Sequence, residues 1–260
     1  MRTATARRER CTADGGEHMA AASTLVLAAH GSRDPRFDAT ARRVADAVRV
    51  ALPGVRIELA YLDLNEPLIG DVLARLTGDA VVVPLLFGNG FHGKIDLPGM
   101  LAAARSTNPS LSVHQTDVVG VASPVPALVD RLAEAGLSGD DGVLMIAVGS
   151  SDPSSDASIA ARADELSATL GRPVELVFAT RIGCDGAVVR QAVDRLLARG
   201  CSRVALSPLF LSAGLLTERV ERVLDSLAAP AIVAGPVGAH RALIASILAR
   251  YSRHDAVVPA

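Results

Sequence analysis

Tryptophan is absent from this chain of 260 residues, and its other aromatic residues are limited to five Phe and two Tyr. Half of the residues are nevertheless apolar, so Ala, Val and Leu must fill the core. Lysine is also scarce, since Lys94 is the only lysine among the 26 basic residues. The net charge is −2 and no basic run occurs, which argues against a nucleic-acid partner. The length allows one large domain or two of about 120 residues.

The three cysteines, Cys11, Cys184 and Cys201, are isolated and form no CxxC pair. This spacing argues against a thiolate zinc site or an iron–sulfur cluster, and it is typical of free thiols in a reducing compartment. No segment reaches the length of about 20 apolar residues that a membrane span needs. Residues 1–22 lack the apolar stretch of a secretion signal. We predict a disordered N-terminal extension, a cytoplasmic location and no membrane contact.

The stretch that organises the chain is an apolar run, residues 25–29, that leads directly into His30-Gly31-Ser32. An apolar run without alternation is typical of a strand buried on both faces, as in a parallel sheet. Ligands of open α/β sheets bind just beyond the carboxyl ends of the strands. His30 is the first residue past such an end, where it could bind a metal or accept a proton. The alternative is a loop histidine that bonds to backbone.

The chain then alternates between β and α patterns with short connections, which predicts an α/β fold with a central parallel sheet. Strands are predicted at residues 24–29, 55–62, 80–86 and 111–119, and helices at 38–50, 67–76, 97–105 and 126–135.

The pattern restarts after a polar, glycine-containing segment. Residues 143–148 lead into Gly149-Ser150-Ser151-Asp152-Pro153, which matches Gly31-Ser32-Arg33-Asp34-Pro35 at four of five positions. Further on, aligning Pro84 with Pro208 also aligns Gly90 with Gly214. The sequence therefore predicts two tandem homologous α/β units. We place them at residues 23–137 and 143–255, with residues 138–142 as a linker.

The two repeats differ where chemistry is expected. His30 aligns with Val148, and His92, at the second strand-end loop, aligns with Leu216. This predicts one working site, in the first repeat, with His30 and His92 facing one crevice. Imidazoles without thiolates suit Fe, Co, Ni or Zn, and two ligands leave coordination positions open. The alternative for His92 is a loop histidine that caps backbone carbonyls.

A glycine-rich loop and several charged residues flank the two histidines. The loop, which offers backbone N–H groups to a large ligand, contains Leu86, Phe87, Gly88, Asn89, Gly90 and Phe91. Its alternative is an ordinary tight turn.

The basic residues Arg33, Arg36 and Lys94 could bind carboxylates or simply be solvated. Asp63 or Glu66 could act as an acid/base or orient an imidazole. Asp96 could equally cap a helix.

Other polar residues are better explained without catalysis. His114, inside a predicted strand, and His240, near the last helix, are interpreted as structural. Ser32 has neither a nearby base nor a nucleophile-elbow context, so a serine hydrolase fits poorly.

With these residues in place, the chain resembles the sirohydrochlorin chelatases, the class II chelatases of sirohaem and cobalamin synthesis. The matching segments are AAHGSRDPRF at 28–37, AYLDLNEPLI at 60–69 and VVVPLLFGNGFHGKIDLP at 81–98. The two-copy layout resembles the long form of that family, and no His-rich or Cys-rich tail follows Tyr251.

The resemblance implies a lyase that inserts Co²⁺ or Fe²⁺, with Ni²⁺ not excluded, into a tetrapyrrole, without a nucleotide or an iron–sulfur cluster. It implies that His30 is both metal ligand and proton acceptor and that His92 is the second metal ligand. It also implies that residues 86–91 and the Asp63 region contact the macrocycle, and we add Arg33 and Lys94 as candidate carboxylate ligands. A fused pair of units predicts a monomer.

Two other functions fit parts of this pattern. A metal or tetrapyrrole carrier could use the same histidines without turnover. Histidine phosphatases also place His-Gly at a strand end, but they have an arginine before the histidine, where this chain has Ala29.

Overall fold

The computed structural model describes residues 23–88, 90–227 and 229–255, and it describes the side chains of all of these except His92, His254 and Asp255. The predicted N-terminal extension, residues 1–22, and Asn89 lie outside the described residues. None of the helices within these ranges is both long and apolar enough to cross a membrane.

The first unit is a four-stranded parallel sheet in the order β2-β1-β3-β4, with helices in the connections. Its strands are β1 (Thr24–Ala29), β2 (Ile57–Tyr61), β3 (Gly78–Pro84) and β4 (Leu111–Gln115). Its helices are α1 (Pro35–Ala51), α2 (Ile69–Ala74), α3 (Leu97–Thr107) and α4 (Val125–Glu134). The strands that lead to His30 and His92, β1 and β3, are therefore neighbours in the sheet.

The second unit repeats this topology with the order β6-β5-β7-β8. Its strands are β5 (Asp141–Ala147), β6 (Val174–Phe178), β7 (Arg203–Pro208) and β8 (Ala231–Val233). Its helices are α5 (Pro153–Leu170), α6 (Ala187–Ala198), α7 (Leu215–Asp225) and α8 (Arg241–Asp255). The predicted fold class, two tandem α/β units around parallel sheets, is confirmed.

The repeat is visible in the backbone where each first strand turns into its helix. Gly31 and Gly149 both have positive φ, +101° and +86°, which glycine adopts without strain. The carboxylates of Asp34 and Asp152 cap α1 and α5 by accepting from the backbone N–H two residues ahead. A proline then opens each helix, where its missing N–H costs nothing. The alignment made from sequence is thus a structural equivalence.

Two predicted boundaries differ from the structure. The fourth strand was expected to reach residue 119, but β4 ends at Gln115 and a 3₁₀ turn occupies Val119–Val121. Apolar residues in this stretch are buried without being in a strand, so hydrophobicity alone overextended it. Strand β5 begins at Asp141, inside the segment expected to be a linker, because Asp141 pairs with Arg203 both in the sheet register and through its carboxylate at 2.7 Å.

The two sheets share one hydrophobic core. Along β1, Leu25 and Leu27 face this shared core, whereas Val26 and Ala28 face a second core under α2 and α3. The shared core also contains Val143 of β5 and residues of helices α1, α4, α5 and α8. The burial of both faces of β1 confirms the strand type predicted from its unbroken apolar run.

Arg250 on α8 joins this last helix to the first unit. Its side chain is 4% exposed and donates to the backbone carbonyls of Asp117 at 3.0 Å and Val118 at 2.8 Å.

We expect Arg250→Met to lower the free energy of unfolding by about 2–3 kcal/mol, because buried carbonyls lose their donors. Urea denaturation measures this. Arg253→Met is the matched control, since Arg253 is exposed and donates to the carbonyl of Ala249 in its own helix. An equal loss in both variants would contradict the prediction.

Candidate functional site

A cavity of about 520 Å³ lies at the carboxyl ends of the strands, between the two units. From the first unit it is lined by His30, Gly31, Ser32, Phe37, Leu85, Leu86, Phe87, Gly88, Gly90, Phe91 and Gly93. From the second unit it is lined by Ala147, Val148, Gly149, Ser150, Ser151, Ser155, Asp156, Ile159, Leu209, Phe210, Leu211 and Leu216. Its volume falls within the range of about 300–1,000 Å³ that is typical of small-molecule sites.

His30 enters this cavity directly from the end of β1, as the sequence predicts. Its ring is partly buried, and its Nδ1 lies 3.1 Å from the carbonyl oxygen of Gly31. An imidazole that donates from Nδ1 to a carbonyl carries its lone pair on Nε2, the atom that can bind a metal or take up a proton. The backbone carbonyl of His30 in turn accepts from the N–H of Asp63 at 3.0 Å.

The loop after β2 fixes the position of His30. The backbone of Asp63 lies so close to Gly31 that a Cβ on Gly31 would meet the carbonyl oxygen of Asp63 at 1.7 Å. One residue further, the N–H of Ser32 donates to the side-chain oxygen of Asn65 at 2.6 Å. Glycine at position 31 is therefore required both by the conformation of the turn and by the close approach of the second strand's loop.

The glycine-rich loop after β3 forms a second wall. Leu86, Phe87, Gly88, Gly90 and Phe91 of the predicted set all line the cavity, and Asn89 lies outside the described residues. The loop passes into a π-helical turn at His92–Asp96. This turn is held by the N–H of Gly93, which bonds to the carbonyl of Gly90 at 3.2 Å. The backbone of His92 is thus placed at the cavity's edge, and its predicted role remains a proposal.

Three other predicted site residues surround the cavity without lining it. Asp63 is exposed next to the His30 loop, and its carboxylate accepts from the N–H of Leu64 at 2.7 Å. Arg33 is also exposed and lies in the loop between β1 and α1. Lys94 forms an ion pair at 2.6 Å with Asp152 of the second unit and also donates to Ser154 at 2.8 Å. Their contacts to substrate remain proposals.

The Lys94–Asp152 pair connects the glycine-rich loop to the start of α5. Hydrogen bonds from Lys94, and then from Ser154, lower the pKa of Asp152 to about 2. A lowered carboxyl pKa means that this contact is present above the ordinary pKa and is lost only as the pH falls towards 2. Lys94 therefore holds one wall of the cavity to the other at neutral pH.

Arg36 is engaged in ion pairs rather than directed at the cavity. It pairs with Asp34 and with Glu218 of α7, both at 2.6 Å. The hydrogen bond from Arg36 lowers the pKa of Asp34 to about 2. This cation joins the two units.

The remaining polar candidates occupy structural positions. His240 lies 3.1 Å from the carboxylate of Asp130, and its Nδ1 accepts from the N–H of Ala242 at 3.2 Å. Its buried ring links α4 to α8, in agreement with a structural role. The hydroxyl oxygen of Ser32 accepts from the N–H of Asp34 at 3.1 Å. This contact stabilises the loop and does not activate the hydroxyl as a nucleophile.

The sequence-based site named no residue of the wall that comes from the second unit. Ser150, Ser151, Ser155 and Asp156 line the cavity opposite the histidine loop. Ser155 is only 4% exposed, and a Cβ on Gly88 would approach its hydroxyl oxygen to 2.7 Å. The repeat alignment carried the missing signal, because Ser150 is the equivalent of Ser32. Two equivalent strand ends that face each other must both border the cleft.

Within the side chains that the structure describes, no three His, Cys, Asp or Glu residues come together as a metal-binding group.

These features define a class of protein: a tandem α/β duplication with a cavity that both units line and that His30 of the first unit enters. The CbiX family profile matches residues 24–135 and again residues 142–254. The chain therefore belongs to the CbiX family, and it carries two copies of the family's unit.

Two relatives match over most of the chain. A sirohydrochlorin cobaltochelatase of Priestia megaterium is 26% identical over 225 residues, which are 80% of this chain and 70% of the relative. A sirohydrochlorin ferrochelatase of Bacillus subtilis (strain 168) is 24% identical over 211 residues, 79% of this chain and 80% of the relative. Both relatives span the two units, in agreement with the long form expected from the motifs.

Solved structures share the fold. The sirohydrochlorin chelatase SirB from Bacillus subtilis subspecies spizizenii, in complex with cobalt, matches with a TM-score of 0.74 and 22% identity over 90% of this chain and 95% of that one. SirB from Bacillus subtilis with Fe³⁺ matches with a TM-score of 0.75 and 23% identity, over 91% of this chain and 96% of that one.

Proposed function

We propose that this protein inserts a divalent metal, Co²⁺ or Fe²⁺, into sirohydrochlorin, in sirohaem or cobalamin biosynthesis. The observation that carries the proposal is the position of His30 in a cavity that both units enclose, with Val148 at the equivalent point of the second unit. Membership of the CbiX family and the chelatase relatives support the same activity. Metal insertion changes no oxidation state, so the proposed reaction needs no iron–sulfur cluster as an electron donor, and we propose that it also proceeds without a nucleotide.

The chemistry needs a metal ligand that can be displaced and a group that accepts protons. His30 supplies both through Nε2, and His92 is proposed as the second metal ligand. The macrocycle replaces the imidazoles as four ring nitrogens bind the ion. Two pyrrole N–H bonds break, two protons leave, and the neutral metal–ring unit forms from M²⁺ and the doubly deprotonated ring. His30 takes up a pyrrole proton and releases it to solvent.

The apolar walls of the cavity suit the face of a tetrapyrrole. Phe37, Phe87 and Phe210 line it together with leucines from both units. The glycines of the loop after β3 leave backbone exposed to a flat ligand. Because one chain supplies both walls, we propose that the protein acts as a monomer and takes a small-molecule tetrapyrrole as its substrate.

The test is anaerobic absorbance spectroscopy of sirohydrochlorin with Co²⁺, Fe²⁺ or Ni²⁺, in the presence and absence of the protein. We expect the spectrum of the metallated ring to appear far faster with the protein, and the three rates to rank the metals. His92→Ala should return the rate towards background, as expected for a metal ligand. A protein that binds the macrocycle but leaves the rate at background would overturn the enzyme and favour a tetrapyrrole carrier.

A further inference from the structure

The second unit has Val148 and Leu216 where the first unit has its two strand-end histidines, and it carries a cation in the loop equivalent to the one that contains Asp63. Strand registers pair Ala29 with Tyr61 in the first unit and Ala147 with Phe178 in the second. The next backbone contact is also equivalent. The N–H of Asp63 donates to the carbonyl of His30, and the N–H of Thr180 donates to the carbonyl of Val148. Thr180 therefore replaces Asp63, and the residue that follows it is an arginine where the first unit has a leucine.

That arginine, Arg181, is held rigidly beside the cavity. Its guanidinium donates through Nη2 to the carboxylate of Asp156. It also lies over the ring of Phe178, 4.5 Å from the ring centre. Nη1 makes a longer contact, 3.4 Å, to the carbonyl of Ser150. Stacking and ion pairing fix the plane of the guanidinium, which lowers the entropy lost when it binds a ligand.

The guanidinium borders the cleft. Asp156, Ser150 and Gly149 all line the cavity, and a Cβ on Gly149 would lie 3.1 Å from Nη2 of Arg181. The side chain of Arg181 is 50% exposed and is not itself part of the cavity lining. It therefore stands at the rim, on the side opposite the His30 loop.

Arg181 also keeps hydrogen-bonding capacity. A guanidinium has five N–H donors, and its acceptors among the described residues are Asp156 and Ser150. Lys94 and Arg36 of the first unit are also ion-paired, with Asp152 and with Asp34 and Glu218. Arg181 differs in that it comes from the second unit and contacts two residues of the cavity lining, Ser150 and Asp156.

We propose that Arg181 is a specificity-determining residue that binds a peripheral carboxylate of the macrocycle. This inference rests on the proposed function, because a tetrapyrrole whose centre lies at His30 extends its carboxylate side chains to the rim. The guanidinium donates N–H bonds to the carboxylate while its pair with Asp156 holds it in place. The second unit is then a working half of the binding site as well as a scaffold.

The test uses two measurements. The fluorescence of metal-free sirohydrochlorin reports the Kd of the macrocycle, and steady-state metal insertion gives KM and kcat. We expect Arg181→Ala to raise Kd and KM by about 10- to 100-fold, the range for one charge-assisted hydrogen-bonded contact, with kcat changed by less than about threefold. The Kd and KM of Arg181→Lys should lie between those of the wild type and of Arg181→Ala, because lysine keeps the charge and loses the planar guanidinium. A macrocycle whose peripheral carboxylates are methyl esters should bind both proteins equally.

Arg195→Ala is the matched control. Arg195 belongs to the same unit, is 49% exposed and pairs with Glu175, but it lies on α6 and is not part of the cavity lining. Unchanged Kd and KM in Arg181→Ala, or a loss that persists with the esterified macrocycle, would overturn the role of Arg181 and leave the chelatase standing. A wild-type protein that binds sirohydrochlorin without metallating it would overturn the proposed function, while the Kd comparison would still test Arg181.

Discussion

His30→Ala is expected to reduce the rate of metal insertion by about 10²- to 10⁴-fold, down to the spontaneous background. This is the range that a positioned general base contributes, and the variant also loses a metal ligand. The fold should be unaffected, because His30 is only partly buried and lies in the loop that follows β1. Anaerobic absorbance kinetics measure the rate, and circular dichroism checks the fold.

The duplication supplies the control for this variant. Val148→Ala alters the equivalent position of the second unit, which lines the same cavity and is 46% exposed. We expect its kcat to remain within about threefold of wild type, because a valine can neither bind the metal nor accept a proton. If both variants lost activity to the same degree, the reaction would not depend on an imidazole at the first strand end, and the one-site hypothesis would be wrong.

Gly31→Ala is expected to destabilise the folded protein more than any other glycine-to-alanine substitution in the cavity lining. The new Cβ would lie 1.7 Å from the carbonyl oxygen of Asp63, and the backbone φ of +101° disfavours any side chain. Because the neighbour is backbone, the loop after β2 must move. We expect a loss of about 3 kcal/mol or more in the free energy of unfolding, together with displacement of His30 and loss of metal insertion.

Gly54→Ala separates the two causes of this loss. Gly54 has a similar φ, +88°, but a Cβ there would meet nothing within 4 Å. Its expected cost is the backbone strain alone, about 1–2 kcal/mol, with activity retained. Urea denaturation monitored by circular dichroism compares the two. Equal costs for both variants would mean that the contact with Asp63 relaxes freely and does not fix His30.

The repeat explains why the fold could be predicted in such detail. Buried strands such as β1 are unbroken apolar runs, and the Asp-Pro start of α1 recurs at α5 with the same hydrogen bond. Local signals of this kind need only nearby residues. The predicted end of the fourth strand was wrong because residues can be buried without belonging to a strand. Beyond Gln115, Val118 and Val119 are buried but lie outside the sheet.

The candidate site was predicted only in the parts that local sequence carries. His30 and the glycine-rich loop follow strand ends, so their common edge was predictable from a parallel sheet. Lys94 was proposed as a carboxylate ligand, and its ion pair with Asp152 joins residues 58 positions apart, on different units. No spacing rule relates those two residues, because the way in which the sheets pack against each other brings them together.

The sequence alone determined which strands are buried, where glycine and proline turn the chain, and that the strand-end histidines His30 and His92 have apolar equivalents in the second repeat. The tertiary structure alone decided what faces His30. A shared core between the two sheets sets the serines, Asp156 and Arg181 of the second unit around the cavity. The physical reason is that periodicity records which side of an element is buried, whereas the partner of that side depends on contacts between distant parts of the chain.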